Sequence, residues 1–454
     1  MIDAALSYAR QNHQRFLAEL QELLSIPSIS TDPAHRADMH RAAEWIGEQL
    51  RMLGMGNVQI MPTGGHPAIY GERLEAGASA PTVLVYGHYD VQPPDPLELW
   101  MSDPFHAEVR GENLYGRGSA DMKGQVLACL KAVEAIVRTH RLPVNIKWLI
   151  EGEEEIGSEH LDGFIKQNKE LLASDFCLNA DAGMLSADEP SITTGLRGLA
   201  YFELRVHGPT KDLHSGLFGG IIHNPAQVLA ELIAGMHDRT GRVTLPGFYA
   251  KVRRLAAGER REFARLPLTK KMYLQQTGVP ELWGEPNFTP PERLGARPTL
   301  EVNGLLSGFT GTGSKTVLPA WAMAKISCRL VPDQTEADTT QQLRAYLGQR
   351  APKDVRWDLK YLHGARPALV NTDNPGIRAM SAALKDVWGK APHFLREGGT
   401  IGVVAQLQRH LGLESVLFGF ALPESDAHSP NEKLHLPTWQ RGIEALIRFF
   451  YHLE

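Results

Sequence analysis

The run IEGEEEIGS, residues 150–158, sets three adjacent glutamates, Glu153, Glu154 and Glu155, at the end of the apolar segment VNIKWLI. Adjacent carboxylates repel one another, and a buried one is costly unless something pairs it. Two chemistries suit such a cluster. One is a solvated turn. The other is a cation, with one carboxylate kept free to move protons. Four further stretches bring His or Asp to comparable places: VLVYGHYDVQP with His88 and Asp90, LYGRGSADMKG with Asp121, CLNADAG with Asp181, and PESDAHSPNE with His428. Each has a plain alternative. HYD is also a turn sequence, Asp121 is a good helix N-cap, and the glutamates suit a helix N-terminus through its dipole. Taken together, two histidines and several carboxylates suit a pair of divalent cations, Zn²⁺ first, then Mn²⁺ or Co²⁺.

The elements that must position these residues are legible from periodicity. Phe16, Leu17, Leu20, Leu23 and Leu24 recur at helical spacing, as do Ala43, Ile46, Leu50 and Leu53. TVLVYG (82–87), VNIKWLI and DFCLNAD read as buried strands. MKGQVLACLKAVEAIVRTH reads as a helix with Val126, Leu130, Val133 and Val137 inward. The alternation predicts a mostly parallel α/β sheet, and ligands in such sheets gather at the carboxyl ends of strands. Near Ile192 the pattern changes. AYFELRVHG alternates like a half-exposed strand, and Asn224–Pro225 opens a helix. Strands near 299–305 and 321–330, a helix at 335–349 and the strand DVRWDLKYL complete a β-α-β-β-α-β order, that of a ferredoxin-like α+β unit. A basic insertion at about 245–298 reads as a solvated surface helix. After about Ala368 the α/β pattern returns. The expected division is therefore 1–190 and 370–454 as one domain, with 191–369 inserted into it.

Composition excludes several classes. The chain has 454 residues, 43% hydrophobic and 22% charged, with a net charge of −5. That is a soluble globular composition, and nothing in it favours nucleic acid or an anionic membrane. No segment approaches a membrane-spanning length, and the N-terminus lacks the pattern of a secretion signal. Three dispersed cysteines suggest buried thiols in a reducing compartment, so a cytoplasmic location is expected. Three motifs of other enzymes fail on inspection. GFTGTGSKT has Ser314 where a phosphate loop needs Lys, GRGSAD has Asp121 in place of a dinucleotide fingerprint's third glycine, and no G-x-S-x-G occurs.

The stretches GHYDVQPPDPLELWMSDPF, GRGSADMKG, EGEEEIGS, KDLHSG, CRLVPD, REGGTI and AHSPNE, in this order, resemble the co-catalytic dinuclear zinc metallopeptidases. That family includes dipeptidases, aminoacylases and desuccinylases. The details are most similar to the cytosolic non-specific dipeptidase and carnosinase branch. The resemblance implies a mixed sheet flanked by helices, an inserted lid and dimerisation domain, two divalent metal ions per subunit and a small peptide substrate. It implies His88 and Asp181 on one metal, Glu155 and His428 on the other, Asp121 bridging both with its own bond to Met122 cis, and Asp90 orienting His88. Glu154 would be the general base, taking a proton from water that the metals acidify. Glu153 departs from the apolar or small residue expected there and reads as solvated. His214 would reach into a partner subunit to stabilise the oxyanion, which implies a homodimer. Arg329 would fork onto the substrate carboxylate, with Thr316, His363 and Thr400 as further substrate contacts and Glu397 near a substrate ammonium. An N-acyl amino acid amidohydrolase on the same scaffold is the first alternative, and a non-catalytic metal-dependent binding protein the second.

Overall fold

A computed structural model describes residues 1–454 and divides them into two compact units. The first comprises Met1–Thr194, Val370–Leu395 and Ile401–Glu454. Its centre is a mixed sheet. Thr82–His88 lies between Asn145–Glu151 and Phe176–Asn179, parallel to both, and Ser415–Leu417 runs parallel to Phe176–Asn179. The antiparallel strands Ala68–Arg73 and Gly56–Met61 extend one side, and Ser191–Leu196 lies beyond Ser415–Leu417 on the other. All seven residues of Asn145–Glu151 are buried, as a parallel strand covered on both faces requires.

The helix Lys123–Thr139 is more deeply enclosed than its one apolar stripe suggests. Every residue from Lys123 to Ile136 is buried. It packs on Thr82–His88 and also against the helices Ile2–Gln11 and Leu436–Tyr451. A helix covered on several sides must satisfy its polar residues internally. Lys131 meets Glu134 at 2.8 Å and also pairs with Glu19, and the Lys123 ammonium donates to the Ile26 carbonyl at 2.7 Å. Gly87 lets the sheet and this helix approach, since a Cβ there would stand 2.6 Å from Val126 Cγ2. No helix is long and apolar enough to cross a membrane.

The second unit comprises Gly195–Leu369 and Arg396–Thr400. Its sheet has the spatial order Thr299–Ser307, Trp321–Leu330, Gly198–His207, Arg356–Ala365, all antiparallel. The helices Pro225–Ala234 and Glu336–Arg350 make the β-α-β-β-α-β order of a ferredoxin-like unit. Ala200, Phe202, Leu204 and Val206 alternate onto one face and join Val228, Leu229, Leu232, Leu343 and Leu347 in a single core. The Asn224 side chain accepts from the Ala226 N–H, and Pro225 fills the first helical position. The basic insertion contributes three short helices, Ala257–Arg265, Lys270–Thr277 and Pro290–Ala296. Residues 396–400, expected within the returning α/β segment, instead group with this unit. Polar contacts explain it: the Arg197 guanidinium donates to the Gly398 carbonyl at 3.2 Å, and the Thr400 hydroxyl donates to the Arg197 carbonyl at 2.6 Å.

Candidate metal centre

In the first unit, strand ends and the loops just beyond them deliver the predicted cluster. His88 is the last residue of Thr82–His88. Asp121 precedes the helix Lys123–Thr139, and its peptide bond to Met122 is cis. Glu154 and Glu155 lie in the single 3₁₀ turn after Asn145–Glu151. Asp181 follows Phe176–Asn179, and His428 stands in the loop beyond Ser415–Leu417.

These side chains form two adjoining groups. His88, Asp121 and Asp181 make one, and Asp121, Glu155 and His428 make the other, with donor atoms of each group within 4.8 Å of one another. The His88 Nε2 lies 3.2 Å from Asp121 Oδ1 and 3.8 Å from Asp181 Oδ1. The His428 Nε2 lies 2.8 Å from the other Asp121 oxygen, Oδ2, and 3.2 Å from Glu155 Oε2. Asp121 therefore offers one oxygen to each group. Two imidazoles and three carboxylates, one of them the shared Asp121, are a donor set that fits a pair of divalent cations of the zinc kind.

The electrostatics match a site that concentrates negative charge. Burial pushes the Glu154 carboxyl well above its ordinary range, and Asp181, Glu155 and Asp121 push it the same way. Burial likewise raises Asp181 to about 7. Hydrogen bonds to Asp121 and Glu155 raise His428 to about 10. Burial opposes protonation of His88, but its bonds to Asp121, Asp181 and Asp90 outweigh that and hold it well above its usual value. Glu154 differs from its neighbours in that its carboxylate makes no hydrogen bond or ion pair. Its backbone is fixed instead. Asp90 accepts the N–H groups of Glu154 and Glu155 at 3.3 and 3.1 Å, while facing His88 Nδ1 at 3.3 Å.

These shifts have a sign that can be measured. With His428 raised to about 10, the cation-free chain keeps that proton at neutral pH, and the stability it adds is complete below about 6.5 and lost as pH rises toward 10. A cation needs the imidazole neutral, so binding must expel protons. Calorimetric titration of a divalent cation in two buffers of unlike ionisation heat should differ by the protons released. Identical heats in both would contradict this protonation state.

Two features were not expected from sequence. Glu153 is not solvated: it is 4% exposed. Its carboxylate accepts from the His66 N–H at 3.1 Å and pairs with His160 at 2.9 Å, because Gly65 leaves it room; a Cβ there would fall 1.8 Å from Glu153 Oε1. Glu432, inside the AHSPNE stretch, accepts the backbone N–H of Asp121 at 3.0 Å. Its place four residues after His428 was the only sequence signal for it.

The other expected residues lie in the inserted unit. His214 is exposed, on a two-residue strand paired with Val317–Leu318, and the Ser215 N–H donates to the Thr316 carbonyl. Arg329 donates to the Thr400 hydroxyl at 2.7 Å and has no carboxylate partner, so burial lowers its pKa unopposed. His363 stacks on Tyr201 with ring centroids 5.2 Å apart.

Fold and cluster together define a chain built for metal-dependent chemistry at a sheet edge, and comparison with known proteins agrees. The model of the peptidase family M20/M25/M40 matches residues 84–452, and the chain belongs to that family. The Cys-Gly metallodipeptidase of Candida albicans is 30% identical over 96% of this chain and 94% of its own length. The human Beta-Ala-His dipeptidase is 31% identical over 100% of this chain and 93% of its own. Among solved structures, the M20 family metallo-carboxypeptidase Sso-CP2 of Sulfolobus solfataricus superposes with a TM-score of 0.87 at 31% identity, covering 96% of this chain and 99% of that one.

Proposed function

We propose that this chain is a two-metal dipeptidase that hydrolyses dipeptides and other short peptides with a free C-terminal carboxylate. The observation that carries the reading is the pair of donor groups sharing Asp121, with the unpartnered Glu154 carboxylate beside them. His88, Asp121 and Asp181 would hold one cation, and Asp121, Glu155 and His428 the other, with zinc the best match to the donors. Bound there, the cations supply Lewis-acid polarisation and acidify water. Glu154 takes the proton from the attacking water on its carboxylate and later delivers it to the leaving amine nitrogen. A carboxyl pushed upward by burial is a stronger base than an exposed one, which suits Glu154 to this shuttle. Asp90 keeps Glu154 in place through the backbone and His88 in orientation.

In the same reading Arg329 receives the substrate carboxylate. A partly buried guanidinium with no acidic partner is prepared for such an anion, and Thr400 fixes its direction. Thr316 and His363 add contacts. His214 acts on the oxyanion of a partner subunit's substrate, which makes the working form a homodimer. Support for that form comes from the edge strand Thr299–Ser307, which has a free side and exposed Leu305 and Leu306, and from the exposed Leu217, Phe218 and Ile221 just after His214. Three buried free cysteines suit a cytoplasmic protein.

The test is one mixed pool of Cys-Gly, β-alanyl-histidine, plain dipeptides, tripeptides, and N-acetyl and N-succinyl amino acids. It is incubated with chelator-stripped protein with and without added Zn²⁺ or Mn²⁺ and followed by mass spectrometry. Dipeptides should disappear only with a cation present, and the rate per chain should fall on dilution into the monomer range. Loss of the N-acyl species alone would replace the substrate class, no turnover would favour a binding protein, and a fully active monomer would remove the role of His214 in trans.

A further inference from the structure

The loop that carries His428 has a left-handed backbone at three residues with side chains: Asp426 (φ 55°), His428 (φ 64°) and Asn431 (φ 65°). Such backbone persists only where its surroundings impose it. Two adjacent side chains tie this loop down. Asn431 accepts from the Met101 N–H and donates to the Leu99 carbonyl, both at 2.8 Å. Glu432 is 1% exposed, and its two oxygens are fully engaged. Oε1 accepts the N–H of Ala120 at 2.9 Å and of Asp121 at 3.0 Å. Oε2 accepts the N–H of Gly118 at 2.9 Å and a guanidinium N–H of Arg117 at 2.8 Å.

Resting on the two-cation reading above, we propose that Glu432 is a positioning residue of the metal centre. One carboxylate, four residues after His428, grips the backbone that presents Asp121 and so sets the spacing of the loops that serve both donor groups. A carboxylate that only balanced the buried Arg117 would need one oxygen. Here Oε1 takes no hydrogen bond from Arg117 and is given to the backbone N–H groups of Ala120 and Asp121. Arg117 is also held elsewhere, by the Pro93 carbonyl at 3.1 Å and over the Trp100 ring at 5.4 Å. Groups that orient metal ligands typically change cation affinity by about 10–100-fold when altered. Glutamine in place of Glu432 would turn an NH₂ group toward donors that it cannot satisfy.

The experiment compares the wild type, Glu432→Gln and the double variant Arg117→Gln/Glu432→Gln, which removes both buried charges and so avoids stranding one. Each is measured for Zn²⁺ affinity by chelator competition, for the visible spectrum of its Co²⁺ form, and for the thermal midpoint without cation. Glu432→Gln should lose about 10–100-fold in affinity with an altered Co²⁺ spectrum. In the double variant the thermal midpoint should return toward wild type while the affinity stays low. If affinity recovers together with the midpoint, or if Glu432→Gln binds Zn²⁺ as the wild type does, Glu432 is an ordinary ion-pair residue and the proposal is overturned. Should Glu432→Gln fail to fold, the double variant carries the same comparison. A wild type that binds no divalent cation would overturn the two-cation reading itself, a different result from unchanged variants.

Discussion

Glu154→Gln should keep the full complement of cations and lose about 10²–10⁴-fold in kcat, the usual cost of removing a general base. The expectation follows from its surroundings. Glu154 has no hydrogen bond to lose, and Asp181, Glu155 and Asp121 all press on its charge. A neutral isostere relieves that repulsion, so the folded chain should be no less stable without cations. The backbone grip of Asp90 is untouched, so the turn bearing Glu155 stays where it is. Metal analysis of the purified variant, beside steady-state rates on a dipeptide, separates the two effects. A near-normal rate would mean that another group takes the proton. Loss of cations together with rate would mean that Glu154 is a ligand.

The second large effect belongs to Asp121→Ala. Asp121 offers Oδ1 to the group with His88 and Oδ2 to the group with His428, so its loss weakens both sites at once. Its N–H would still be held by Glu432, which limits the damage to the missing side chain. Cation content should fall below one per chain, with an affinity loss beyond the about 10–100-fold typical of groups that merely orient ligands. Asp181→Ala touches only one group and should leave one cation bound. Equilibrium dialysis with elemental analysis of both variants checks the contrast. Two cations retained at native affinity in Asp121→Ala would end the shared-carboxylate reading.

Much of this was open to inspection in the sequence, for physical reasons that differ by element. Buried parallel strands announce themselves as short, mostly apolar runs, so TVLVYG and VNIKWLI can be placed, and with them the ends where His88 and the glutamates stand. The Asn224–Pro225 start of its helix has a local cause and was equally plain. Spacing alone did not say which glutamate stays off the cations; that assignment came from the resemblance. What stayed hidden depends on contacts between distant segments. Glu153 reads as one more solvated acid because, although His160 follows closely, nothing near it in sequence tells of Gly65 and the His66 N–H. Glu432 grips backbone N–H groups, which leave no residue type to search for. The full enclosure of Lys123–Ile136 was missed because an apolar stripe records the sheet contact and not the helices that cover the other sides.

The position of Ser415–Leu417 bears on how the molecule comes into being. This short strand sits in the interior of the sheet, between Phe176–Asn179 and Ser191–Leu196, yet it follows the whole inserted unit in the chain. A ribosome therefore delivers Phe176–Asn179 and Ser191–Leu196 long before the strand that joins them. Until then both present open hydrogen-bonding edges, the feature that makes partly made sheets prone to unwanted pairing. The same late segment brings His428 and Glu432. Closure of the sheet, completion of the second donor group and fixing of the Asp121 loop thus fall to one stretch made after the inserted unit. A nascent chain can gather His88, Asp121 and Asp181, but it has neither His428 nor the carboxylate that holds Asp121 in place until the residues after Ser415–Leu417 are made.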